Sequence, residues 1–220
     1  MELFEIFSVI GTVAFALSGA YVAMEEEYDI LGVLVLGLVT AFGGGIVRNI
    51  VIGVPVTTIW SQGGLLLLAI ISIVVVFILP LSWIRHWKKT EAWFDAIGLA
   101  AFAIQGALYA TGMKHPILAV VVAAMLTGIG GGIIRDLLAG RKPLVLREEI
   151  YAVWSIVAGL AIGLGIAKST ASLLVLFVLV VCFRMLSVYY KWKLPRRSLK
   201  LGTTSGVSAD EDNTNEQMKM

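Results

Sequence analysis

The sequence predicts an all-α integral membrane protein: seven transmembrane helices arranged as an inverted three-plus-three repeat plus one, with the second and fifth spans broken at glycine triplets. Three observations lead there. Apolar residues make up 59% of the 220 and charged residues only 15%, and mean hydropathy is +0.92. A water-soluble domain is nearer half apolar and about a quarter charged, so that class is excluded. The apolar residues fall into runs long enough to cross a bilayer, and the first half of the chain returns in the second at a fixed offset.

Crossing the hydrocarbon core takes about 20 residues at 1.5 Å each. The chain starts Met1-Glu2-Leu3-Phe4-Glu5, acidic where a secretion signal is basic, and its apolar run reaches Met24, beyond the roughly 7–15 residues of a signal core. The run is therefore the first span, 4–24. Polar Glu25-Glu26-Glu27-Tyr28-Asp29 leads to the second span, 30–52. Turn-forming residues from Gly53-Val54-Pro55 to Gly63-Gly64 precede the third, 65–84, which runs into Arg85-His86-Trp87-Lys88-Lys89. Further spans are expected at 91–112, 116–138, 150–167 and 170–190. The chain thus divides into a first three-helix repeat (1–86), a second, inverted one (87–168), a seventh helix with basic flank (169–194) and a polar tail (195–220) expected to be disordered in the cytoplasm.

Lysine and arginine set the orientation. With the N-terminus outside, the cytoplasmic side collects Arg85, Lys88, Lys89, Arg141, Lys142, Arg147 and the Lys191–Lys200 flank, leaving little outside beyond Lys114 and Lys168. That asymmetry predicts N-out and C-in. A net charge of +2 gives no footprint for nucleic acid, so membrane lipid is the expected partner. The lone Cys182 lies in an apolar run and is expected to be a small buried hydrophobe, with no disulfide and no metal-ligand spacing.

Sliding the chain on itself by 87 residues aligns Thr40-Ala41-Phe42-Gly43-Gly44-Gly45-Ile46-Val47-Arg48-Asn49 with Thr127-Gly128-Ile129-Gly130-Gly131-Gly132-Ile133-Ile134-Arg135-Asp136. The same ungapped offset pairs Phe7 with Phe94, Gly11 with Gly98, Ala14-Phe15-Ala16 with Ala101-Phe102-Ala103, Gly19-Ala20 with Gly106-Ala107, and Gly53 with Gly140. Shared hydrophobicity alone does not put glycines and arginines in register. Three spans per repeat is an odd number, so the second copy enters from the opposite face, an arrangement that points to a site where the halves meet.

Each triplet costs a helix about 1 kcal/mol per glycine relative to alanine, so the backbone there is expected to face protein or water. Gly43, Gly44, Gly45, Gly130, Gly131 and Gly132 are candidate hinge and pore elements. Unwinding at these points would free carbonyls for a cation and N–H groups for an anion or carboxylate. The plainer alternative is that small residues let two helices cross closely. Arg48 and Arg135 follow one turn later, either snorkelling to headgroups or lining a vestibule and pairing with an acid such as Asp136 or Asp95. Ser8 and Asp95 are equivalent positions, as are Asn49 and Asp136, and Thr40 and Thr127 open the two motifs; all are candidate pore-flanking or gating residues. Asp95 is expected to be interfacial or pore-lining, and Arg184 to snorkel toward the basic flank. No phosphate-binding loop, paired histidines or Gly-x-Ser-x-Gly motif is present, so no enzyme, catalytic residue, cofactor or metal is expected.

The doubled Gly-Gly-Gly-x-x-Arg-Asn/Asp motif on the second and fifth of seven spans resembles the bacterial relatives of the TRIC (trimeric intracellular cation) channels, also described as the bacterial glycine-transporter domain family. The likeness covers roughly 4–190. It implies a homotrimer in the bacterial inner membrane with one path per subunit, spans two and five bent around that path at Gly43–Gly45 and Gly130–Gly132, and Arg48 and Arg135 beside it. It leaves the cargo open between a monovalent cation such as K⁺ and a small zwitterion such as glycine. A non-transport membrane scaffold, suggested only by the basic flank, is the third reading.

Overall fold

The computed structural model describes residues 2–79, 90–147 and 150–192, and it is entirely helical among them. In order it contains α1 (Glu2–Glu25), α2 (Ile30–Val51), a 3-10 turn (Val56–Gln62), α3 (Gly63–Ile78), α4 (Thr90–Gly112), α5 (Ile117–Leu138), a one-turn α6 (Leu144–Arg147), α7 (Ala152–Gly163) and α8 (Thr170–Tyr189). The polar tail at 195–220, the basic run at 85–89 and the expected end of the third span lie outside the described residues.

The helix ends repeat with the sequence. α1 and α4 both stop on a left-handed residue that is not glycine, Glu27 (φ 58°) and its mate Lys114 (φ 59°). In each case the next amide reaches back five residues, Tyr28 N–H to the Ala23 carbonyl and His115 N–H to the Ala110 carbonyl, which satisfies carbonyls the helix end would leave open. α2 and α5 end the same way on Gly53 (φ 75°) and Gly140 (φ 69°), where glycine carries no penalty for positive φ. Asp29 starts α2 by accepting the Gly32 amide at 2.7 Å.

α1 packs on α2 and α3 as α4 packs on α5 and α7, and the two sets join through α1 against α4 and α2 against α5; α8 lies outside, on α4 and α7. The α1 and α4 spans are each 72% buried, against 17% for the span containing α3 and 28% for α8. The centre of the bundle is therefore α1 and α4. Each carries a stripe of alanine, with Ala16, Ala20 and Ala23 and the mates Ala103, Ala107 and Ala110 all at zero exposure. Small residues let backbones approach, and in lipid that contact, rather than hydrophobic burial, holds helices together. Phe15 and its mate Phe102 meet edge to face, ring centres 5.2 Å apart. Each ring lies where a side chain on the other copy's glycine, Gly98 or Gly11, would have to stand.

Two sequence expectations change. α2 and α5 run as helix without interruption through Gly43–Gly45 and Gly130–Gly132. The triplets do not break the helices; they let them cross. A Cβ on Gly44 would run into the Thr127 carbonyl, one on Gly131 into the Thr40 carbonyl, and one on Gly130 would lie 2.9 Å from the Gly44 Cα. Among the described residues six helices, rather than the seven expected, are long and apolar enough to span a bilayer. The span expected at 150–167 is α7, whose 12 residues cover only about 18 Å at 1.5 Å per residue before Gly165 (φ 73°) turns the chain.

Candidate functional site

Each arginine that follows a triplet is drawn inside rather than out to headgroups, and the two head opposite ends of the bundle. Arg48 on α2 is 3% exposed. Its Nε and Nη2 donate to Asn49 Oδ1 at 3.1 and 2.8 Å, and its Nη1 donates to Gln105 Oε1 of α4 at 2.8 Å. Gln105 Nε2 in turn reaches Ser8 Oγ of α1 at 3.3 Å, and Asn49 Nδ2 reaches Thr58 Oγ1 at 3.0 Å. The guanidinium stacks 4.5 Å over the Tyr109 ring. These partners are all neutral.

At the other end, Arg135 on α5 is fully buried among charges. Nε donates to Asp136 Oδ1 at 2.9 Å, and Nη2 stands 2.8 Å from the same oxygen as an ion-pair contact. Nη1 donates to Ser18 Oγ of α1 and to Asp95 Oδ1 of α4 at 3.1 Å. Asp136 Oδ2 accepts the Leu144 amide at 2.9 Å, which ties α6 to the cluster. Arg184 Nη2 approaches Asp95 Oδ2 to 3.9 Å, and its guanidinium lies 4.5 Å over the Tyr151 ring.

The two clusters are mates under the same offset. Arg48 matches Arg135, Asn49 matches Asp136, Ser8 matches Asp95, and Gln105 is the counterpart of Ser18. Their packing differs. Between Ser8, Thr12, Gly45, Arg48, Gln105 and Thr127 lies a small cleft of about 30 Å³. The equivalent Asp95, Leu99, Arg135, Ser18 and Thr40 are all at zero exposure. In the cleft the Ser8 and Thr127 hydroxyls donate to their own helices, at the Phe4 and Ala123 carbonyls, 2.7 and 2.6 Å away. That leaves the Thr127 oxygen, and the one Ser8 lone pair that Gln105 does not use, as acceptors toward a passing donor or cation.

A second layer closes the Arg135 end. Arg141, in the loop after α5, bonds Glu26 and, at 3.0 Å, Glu25 Oε2, and Tyr28 donates to the Leu138 carbonyl at 2.9 Å. Partial burial acts to lower the Arg141 pKa, but its hydrogen bonds to Glu26 and Glu25 outweigh that and leave it raised, so the group stays cationic.

The sequence-predicted residues therefore fall into three groups. Ser8, Arg48 and Asn49 meet at the cleft; Asp95, Arg135 and Asp136 meet in the closed cluster; Thr40, Thr127 and the central glycines form the crossing between them. Gly45 lines the cleft, Gly43 rests against the Ile134 side chain and Gly132 faces the Tyr151 hydroxyl. Asp95 is fully buried, with Arg135 and Arg184 beside its two oxygens. Arg184 does not snorkel: it is 1% exposed, on the α8 face that carries the buried Leu173, Leu176, Val180 and Ser187. That helical spacing in the sequence was the available signal. Cys182, expected inside, is exposed on another face of α8.

A family model described as Glycine transporter matches residues 5–80 and again 92–166, one match for each set of helices. The chain belongs to that family, of TRIC type. A membrane protein of Bacillus subtilis, UPF0126 membrane protein YvgT, is 61% identical over 197 residues, covering 90% of this chain and 98% of its own. Among solved structures, a TRIC cation channel superposes with a TM-score of 0.78 at 36% identity, over 90% of this chain and 98% of that one. The TRIC orthologue from Rhodobacter sphaeroides gives 0.77 at 28% identity, over 87% and 100%. This family member is a multi-pass membrane protein.

Proposed function

We propose that the protein is a membrane channel for monovalent cations, K⁺ among them, with its own path in each subunit of a homotrimer. The observation that carries this reading is the pairing of a small polar cleft with a fully buried, symmetry-related cluster on either side of the α2–α5 crossing. A path formed by the two copies would enter at the cleft, pass the Ser8 and Thr127 oxygens and the backbone at Gly45, cross at Thr40 and Thr127, and leave where Arg135 now sits. Similarity to solved TRIC cation channels supports cation passage. Hydroxyl and carbonyl oxygens replace part of a cation's hydration shell without needing a metal-binding carboxylate cage.

In this reading the conformation is closed, and the Arg135–Asp95–Asp136 cluster is the gate. The N-terminus is outside, so the cleft faces out and the gate and the Arg141 latch face the cytoplasm, where the loop arginines and lysines gather. α7, with α6, is the counterpart of the third span and completes the second repeat as a seventh membrane element. No catalytic residue or cofactor takes part; the transported ion is the ligand, and lipid and the other two subunits are the partners.

Purified protein in planar bilayers, tested with K⁺, Na⁺ and glycine in parallel, decides the matter. Unitary K⁺ currents with weak saturation support the channel. Saturable, competable glycine uptake without unitary current would overturn it in favour of a carrier, and no flux of either kind would favour a scaffold.

A further inference from the structure

Asp95 puts a fully buried charge where the first repeat has none. Its mate Ser8 is neutral, and Arg184, on a helix beyond both repeats, has no mate at all. The acid and the second arginine are thus both departures from the repeat, and they meet: Arg184 Nη2 stands 3.9 Å from Asp95 Oδ2 while Arg135 Nη1 holds Oδ1 at 3.1 Å. The two arginines approach from different helices. Arg135 is on α5, inside the repeat and next to the crossing; Arg184 is on α8, which lies outside both repeats and packs on α4, the helix that carries Asp95.

We propose that Arg184 is the resident counter-charge of Asp95, the group that keeps this carboxylate paired when Arg135 withdraws and the gate opens. The proposal rests on the gate reading above. If Arg135 comes to line a cleft as Arg48 does now, Asp95 loses its nearest cation, and an ionised carboxylate left unpaired in a closed protein interior is strongly disfavoured. Arg184 moves with α4 rather than with α5, so its contact with Asp95 outlasts the opening. The Tyr151 ring beneath the guanidinium holds it facing the acid. The closed state has two cations on Asp95 and the open state has one. Removing Arg184 therefore costs the open state more than the closed state, and only such a difference shifts the balance between two states. This predicts a sign opposite to the usual effect of deleting a gate contact.

The test is a coupling cycle on the reconstituted full-length protein, with single-channel open probability as readout and trimer elution and unfolding temperature as fold controls. Arg184→Gln should lower open probability at least tenfold with unitary conductance unchanged, and Arg184→Lys, which keeps the charge, should restore most of it. In the Asp95→Asn background, where no carboxylate needs a partner, adding Arg184→Gln should change open probability by less than twofold. If Arg184→Gln does not fold, the Lys variant and the double variant carry the same comparison. Asp95→Asn without any change in gating would sink the gate reading and this proposal together. Asp95→Asn that opens the channel, with Arg184→Gln that leaves it unchanged, opens it further or shuts it equally in both backgrounds, overturns the counter-charge role alone.

Discussion

The Thr40 carbonyl occupies the place where a side chain on Gly131 would begin, and the Thr127 carbonyl does the same for Gly44. The obstacle in both cases is backbone in the middle of a helix, which has no rotamer to change. Gly131→Ala and Gly44→Ala should each destabilise the bundle by about 1–3 kcal/mol through overpacking, with the helices forced apart. Gly45→Ala should not, because the nearest atom to its Cβ is Arg48 Nη2 at 3.8 Å. The gain in helix propensity, up to about 1 kcal/mol, should make that variant neutral or slightly more stable. Thermal unfolding of the three purified variants in one detergent checks the order. Gly45 lines the cleft, so its variant should also show reduced unitary conductance in bilayers.

The glycines show what the sequence can and cannot say here. Their register across 87 residues exposed the duplication, and the long apolar runs located the helices to within a few residues. What the letters left open was whether a triplet unwinds a helix or lets one pass close to another. That is decided by the partner's backbone, Thr40 against Gly131, and no local pattern specifies the partner. Charges behave alike: Arg135 and Asp95 were legible as unusual, but their pairing depends on how α4 and α5 face each other. Arg184 was misread because its closeness to the basic flank outweighed its place on the buried stripe with Val180 and Ser187. α7 looked like a full span because Gly163-Leu164-Gly165 reads as apolar, whereas the left-handed Gly165 ends the helix early.

Arg48 puts a fixed positive charge in a cleft proposed to pass cations, and its hydrogen-bond partners are neutral. At about 6 Å and an effective dielectric of about 20, such a charge repels a monovalent cation by roughly 3 kcal/mol. Arg48→Gln should therefore raise unitary K⁺ conductance about two- to tenfold in low-salt solution, with a smaller gain at high salt as screening sets in. Conductance measured from tens of millimolar to molar KCl checks this. An equal or lower conductance across that range would mean that cations do not pass beside Arg48.

The contacts of Arg141 with Glu25 and Glu26 are partly exposed, and pairs of that kind are worth about 0.2–1 kcal/mol each. The double variant Glu25→Gln/Glu26→Gln should raise open probability by about fivefold, and raising ionic strength should do the same to the unaltered protein while leaving the variant unmoved. Tyr28→Phe, which removes the hydrogen bond to the Leu138 carbonyl, should add a smaller, salt-independent increase. Bilayer recordings at two salt concentrations separate these contributions.

The Arg135–Asp95 pair belongs to a different regime, because both side chains are sealed from solvent. Salt does not screen it, and breaking a buried pair by removing one partner costs several kcal/mol, since the remaining charge is left without compensation. Asp95→Asn is gentler than that limit. It keeps an oxygen for Arg135 to use, and Arg135 retains Asp136 at 2.8 Å. The loss falls on the closed conformation, where the pair is made, so the equilibrium moves toward opening. Open probability should rise at least tenfold, by a factor that does not change with ionic strength, while the unfolding temperature falls. Both readouts are needed: a lower unfolding temperature with unchanged gating would make the pair a structural tie, and a rise in open probability that vanished at high salt would place the controlling contact at Arg141 instead of in the core.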